Sequence, residues 1–98
     1  MRRAAKRDAS EESIVQYLRK AGWSVAYLSG TDLPDLLLGK DTAIGKLNLL
    51  AEVKTGKKPL RPGQQQFADN WHGMPPFVLR SVEDAEALNR MVNFRFSL

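Results

Sequence analysis

LNLLAEVK, residues 47–54, alternates with a period of two. Leu47, Leu49, Ala51 and Val53 share one face of a strand, and Asn48, Leu50, Glu52 and Lys54 share the other. A charged pair within an apolar strand is costly unless it is paired or bound to a metal. The strand before it in sequence is the short apolar run Leu36-Leu37-Leu38, opened by Asp35 and ended by Gly39, and it reads as buried on both faces. Between the two, GKDTAIGK (39–46) carries the Gly, Asp and Thr of a hairpin connection. Pairing those strands brings Asp35 beside Glu52. Two carboxylates and an exposed carbonyl make an oxygen-rich site suited to Mg²⁺ or Mn²⁺. Such an ion lowers the pKa of a water and offsets phosphate charge. Lys54, roughly 6.5–7 Å along the strand from Glu52, can hold an attacking water or meet developing negative charge.

The flanks complete an α/β pattern. Asp8 or Ser10 caps a first helix, Asp8 and Glu11 having capping-box spacing, and the helix stops at Gly22. Ile14, Val15 and Leu18 form its apolar stripe, and stepping back one turn lands on Glu11. Trp23 to Leu28 reads as a strand, and Pro34 forces extended geometry on Leu33. After the basic loop TGKKPLRPG (55–63), Pro62 starts a helix through QQQFADNWH, closed by Gly73, with Gln64, Phe67, Ala68 and Trp71 on one face. FVLRS is another strand, and Ser81-x-x-Asp84 caps a helix to about Val92. In the tail, Phe94, Phe96 and Leu98 alternate with Asn93, Arg95 and Ser97, which suits a final strand at a sheet edge or subunit contact. The order is α-β-β-β-α-β-α with a possible C-terminal strand: a mixed β-sheet flanked by helices.

Composition bounds the function. The chain has 98 residues, enough for one domain that buries roughly 65% of its unfolded surface. There is no cysteine, which removes disulfides, thiolate zinc sites and a Cys nucleophile. A single histidine excludes a His-rich metal site. No run approaches the ~18 apolar residues of a membrane span. Residues 1–8 form a basic arm with no apolar segment behind it, so it is not a secretory signal. A cytoplasmic protein without a membrane partner is expected. The formal charge of +4 favours a polyanion, nucleic acid first.

TDLPDLLLG (31–39) followed by LNLLAEVKTGKKPLRPGQQQF (47–67) resembles the PD-(D/E)XK nuclease superfamily, most nearly its VRR-NUC type, with archaeal-type Holliday-junction resolvases as relatives. The resemblance covers about residues 11–82. It implies a restriction-endonuclease-like core and a Mg²⁺- or Mn²⁺-dependent DNA endonuclease acting on branched or junction DNA as a homodimer. It implies metal ligation by Asp35, Glu52 and the Val53 carbonyl, with Glu11 completing the site, directly or through water. It makes Lys54 catalytic and places Gln64 in the site with Phe67 as apolar partner. Lys57, Lys58 and Arg61 become phosphate contacts. The family pattern often has Gly two residues before Pro, whereas this chain has Asp32 there.

On residues alone, other readings stand beside these. Glu52 and Lys54 also read as a solvated cross-strand pair. Asp35 also reads as a turn residue after proline, Glu11 as a first-turn carboxylate favourable to the helix dipole, and Gln64 as an exposed member of QQQ. His72 reads as a surface residue, and Trp23 and Trp71 as core. A non-catalytic nucleic-acid-binding module on the same fold is the alternative function. Such modules usually lack one acidic ligand, and this chain has Glu11, Asp35, Glu52 and Lys54.

Overall fold

The computed structural model describes residues 9–97. The elements run α1 (Ala9–Lys20), β1 (Ser24–Tyr27), β2 (Leu36–Thr42), β3 (Gly45–Val53), α2 (Pro62–Asn70), β4 (Phe77–Leu79) and α3 (Val82–Arg95). The expected basic arm, the Asp8 cap and Leu98 lie outside the described residues. Strands β1, β2 and β3 form an antiparallel meander, and β4 joins β3 in parallel after the α2 crossover, giving the order β1-β2-β3-β4. The fold is therefore α/β with a four-stranded mixed sheet and three helices, in the order the sequence implies. Among the described residues no helix is long and apolar enough to cross a membrane.

Register explains how the sheet sorts its side chains. Leu36 pairs with Ala51 and Leu38 with Leu49, and all four are buried. Ile14, Val15 and Leu18 of α1 and Ala85, Leu88 and Val92 of α3 belong to the same core. Each large apolar side chain there contributes about 1.5–3 kcal/mol by leaving water. The opposite sheet face is more open. Leu37, paired with Leu50 and Ala26, is 38% exposed, so β2 is not buried on both faces. Both main helices serve the other layer.

Local chemistry sets the ends of the helices. Gly22 has φ 97°, the left-handed conformation that stops α1. Lys40 Nζ donates to the Ala21 carbonyl at 2.8 Å, placing a cation at that helix's negative end, and lies 5.5 Å from the centre of the Trp23 ring. Trp23 is core, as its sequence suggests, and its Nε1 donates to Asn89 Oδ1. With α1 already begun at Ala9, Ser10 lies inside the first turn and is not a cap. Ser81 Oγ does cap α3, accepting from Asp84 N at 3.1 Å.

Three expectations need correction. The connection between β2 and β3 is shorter than 39–46: the ladder continues to the pair Thr42 and Gly45, leaving a two-residue turn. Backbone pairing extends past the apolar run because Asp41 and Lys46 face each other across the hairpin at 2.7 Å. The tail is helical: α3 continues through Arg95, with Phe96 as its cap residue, in place of a C-terminal strand. Ala85, Leu88, Val92 and Phe96 extend one helical stripe, and that period outweighs a three-step alternation. Finally, α2 ends at Asn70, and Trp71 turns extended and stands 48% exposed, stacked on Phe67 at 5.1 Å rather than in the core.

Candidate functional site

The carboxylates meet where the register puts them. Continuing the β2–β3 pairing one step past Leu36 and Ala51 sets Asp35 opposite Glu52, on the face away from the main core. Directly opposed side chains in an antiparallel pair have Cβ atoms about 4.5–5.5 Å apart. Asp35 Oδ2 accepts from Val53 N at 2.7 Å, which fixes that carboxylate at the end of β3. The Asp35 carbonyl accepts from Leu28 N, so the same residue also holds β1.

Glu52 is 1% exposed. Its Oε1 accepts from Gln64 Nε2 at 3.3 Å, while its Oε2 is buried and meets no donor among the described residues. Burial pushes the Glu52 carboxyl up to about 7, aided by the negative Asp35 beside it and by a hydrogen bond to Asp35 that only the protonated acid can donate. Lys54 and Arg61 pull in the other direction. The pair thus carries negative charge in a desolvated place with too little positive charge around it.

Gln64 has two tasks. Its Oε1 accepts from Arg61 N at 2.9 Å, closing the first turn of α2, and its Nε2 faces Glu52. It is buried, not an exposed member of the QQQ run. Lys54 lies just past β3, and its backbone N donates to the Leu79 carbonyl at 3.1 Å, which extends the ladder and keeps Lys54 on the face of Glu52. Lys57, Lys58 and Arg61 are exposed on the loop that follows.

Glu11 is buried on α1, one turn before Ile14 and Val15, as the stripe implies. Among the described residues no three or more His, Cys, Asp or Glu side chains group as a metal cage. The structure brings Asp35, Glu52, Gln64 and Lys54 together, with Glu11 buried near the start of α1. The Asp35–Glu52 pair nevertheless suits a divalent cation: it has a buried oxygen without a donor, two adjacent carboxylates and oxygen-only chemistry. His72 is exposed, as expected of a surface residue.

Two residues outside the motif shape this site. Asp32 has φ 64°, a conformation open to glycine and, among other residues, chiefly to Asn and Asp. The departure from Gly before Pro34 is therefore accommodated by the backbone. Its carboxylate lies against Gly63 in the first turn of α2 and 3.6 Å from Arg61 Nη2. A Cβ at Gly63 would overlap that carboxylate. Asp32 thus joins the loop that leads to Asp35 with the helix that carries Gln64. Gly63→Ala should destabilise the fold by about 1–3 kcal/mol. In an Asp32→Gly background the same change should cost nothing or stabilise, because alanine is the better helix former. Urea denaturation of the four proteins measures this coupling, and equal effects in both backgrounds would refute the contact. The second residue, Arg80, reaches the basic loop from β4. No spacing rule announces either one, although the lone Asp at the glycine position was a visible signal.

Comparison with protein-family models, with curated proteins and with solved structures found no match, so the functional reading rests on this chain's own residues.

Proposed function

We propose that the protein is a Mg²⁺- or Mn²⁺-dependent endonuclease that hydrolyses DNA phosphodiester bonds. The observation that carries this reading is the Asp35–Glu52 pair, side by side at a strand end with Lys54 two residues along the same face. A solvated ion pair, the simplest alternative, does not suit Glu52 at 1% exposure. Asp35, Glu52 and the Val53 carbonyl would hold the cation, with Glu11 acting through water. The cation supplies charge neutralisation at the phosphate and a more acidic attacking water.

The chain's own groups do the rest. Gln64 holds Glu52 by its amide and leaves the free edge of that carboxylate turned toward Asp35. Lys54 orients the water for in-line attack and donates to the charge that builds on the phosphoryl oxygens. The water gives a proton to solvent as its oxygen bonds to phosphorus, the P–O3′ bond breaks, and the 3′ oxygen takes a proton from solvent. The products are 3′-hydroxyl and 5′-phosphate ends. Lys57, Lys58 and Arg61 hold the strand by its phosphates. The restriction-endonuclease-like core of the VRR-NUC type accounts for the order of the elements and the placement of the site at the ends of β2 and β3. A chain of this size covers only part of a duplex. A two-fold homodimer would set two sites on opposite strands of branched or Holliday-junction DNA.

The test is cleavage of labelled linear duplex, flap and four-way junction DNA by wild type and Asp35→Ala, with Mg²⁺, Mn²⁺ or EDTA. Cutting that needs the metal and is lost in the variant is the expected result. The ranking of substrates then separates a junction resolvase from a general endonuclease. Salt-sensitive binding without cutting by folded wild type would instead favour a non-catalytic nucleic-acid-binding module.

A further inference from the structure

Arg80 follows the short strand FVL, and nothing in its sequence context marks it as functional. The parallel register Val53–Leu79, continued one step, sets Arg80 beside Lys54, where the basic loop leaves the sheet. Its backbone N donates to Asp84 Oδ2 at 2.8 Å, fixing Arg80 at the start of α3. From there Nη1 donates to two loop carbonyls, Gly56 at 3.0 Å and Lys58 at 2.6 Å. Those carbonyls bracket Lys57. Lys58 N donates to the Thr55 carbonyl at 3.2 Å, and Gly56 sits at φ 58°, so residues 55–58 form a tight turn gripped by one guanidinium.

This arrangement runs against simple electrostatics. A cation has been placed beneath a loop that carries Lys57, Lys58 and Arg61. Charge-assisted bonds to backbone carbonyls offset that repulsion. They also turn both carbonyls toward Arg80 and leave both lysines exposed. A strand of DNA lying over Asp35 and Glu52 would meet a loop already ordered, with less conformational entropy left to lose.

We infer that Arg80 is a positioning residue that holds the basic loop so that Lys57 and Lys58 present their ammonium groups to the DNA phosphates beside the Asp35–Glu52 pair. This rests on the nuclease reading. Arg80 acts through the loop, not by touching DNA itself.

The loop can be read without DNA. Trypsin cleaves after Lys57, whereas Lys58 and Arg61 are each followed by proline, which blocks it. Arg80→Ala should speed nicking at Lys57 by about tenfold, while the thermal midpoint moves by no more than a few degrees. With fluorescently labelled duplex as the probe, Arg80→Ala should weaken binding by about fivefold. Combined with Lys57→Ala and Lys58→Ala, it should add little to the loss those changes cause. Arg80→Lys keeps the charge but is one bond shorter, so its ammonium stops short of the place from which Nη1 donates to both carbonyls, and it should resemble Arg80→Ala. Full additivity, or binding kept by Arg80→Lys, would make Arg80 a direct phosphate contact and overturn the inference. Unchanged nicking would overturn it as well. If wild type bound no DNA, the nuclease reading would fall and the role in DNA binding with it, while the nicking comparison would still decide whether Arg80 grips the loop.

Discussion

Lys54→Ala should lower the cleavage rate of the proposed nuclease by about a thousandfold or more. Affinity for DNA should change by no more than about threefold, because Lys57, Lys58 and Arg61 are untouched. Lys54 is anchored through its backbone to Leu79, so its side chain is delivered to the site by the sheet. It is also one of two cations that draw the Glu52 carboxyl downward. Its loss therefore moves the acid limb of the pH–rate profile of any residual activity to higher pH. Single-turnover cleavage at saturating Mg²⁺, with binding measured separately, checks both statements. A variant that cuts normally would remove Lys54 from the chemistry.

Glu52→Gln will behave in the opposite way to most buried substitutions: it will abolish the proposed cleavage and stabilise the protein at alkaline pH. The folded-state pKa of about 7 lies above the ordinary 4.5. Between those values the folded chain binds more protons than the unfolded one, so stability falls as pH rises through this window. Below about 4.5 the group contributes no penalty, and above about 7 the penalty is complete. At 1.36 kcal/mol per pH unit the full penalty is on the order of 3 kcal/mol. A neutral amide escapes it. Its oxygen can still accept from Gln64, and its NH₂ can donate toward Asp35. Urea denaturation at pH 5 and pH 8 should show the variant gaining on wild type at the higher pH. Millimolar Mg²⁺ should stabilise wild type at pH 8 and leave the variant unmoved, since only the ionised pair gains from a cation. A variant less stable than wild type at pH 8 would mean that Glu52 is not strained there.

Much of this was readable from side-chain periodicity. The period-two face of residues 47–54 put Glu52 and Lys54 together, and pairing that strand with the apolar run after Asp35 brought the second carboxylate to Glu52. Gly22 ended α1 where expected, and Ser81 capped α3. The misreadings share a cause: each depended on something outside the local pattern. The tail alternates over too few residues to outweigh the helical stripe that reaches Phe96. Leu37 looks like core, yet the apolar faces of α1 and α3 pack on the other side of the sheet. Trp71 has the spacing of a core residue, but its helix stops one residue short of it. Asp32 and Arg80 act on a glycine and on carbonyl groups, and side-chain patterns do not encode where a distant backbone will lie.

The bond from Gln64 to Glu52 spans a separation of 12 residues, and the Arg80 grip lies inside that span. Residues 52–64 therefore make a ring fastened across its base, rather than a tether hanging between a strand and a helix. Lengthening such a ring is inexpensive, about 0.6 kcal/mol for each doubling. Pro59 stands at its exposed rim, past the last carbonyl that Arg80 holds. Residues added there would enlarge the part of the molecule that reaches outward without shifting either carboxylate. The reach of the basic surface can thus vary independently of the carboxylate pair at its foot.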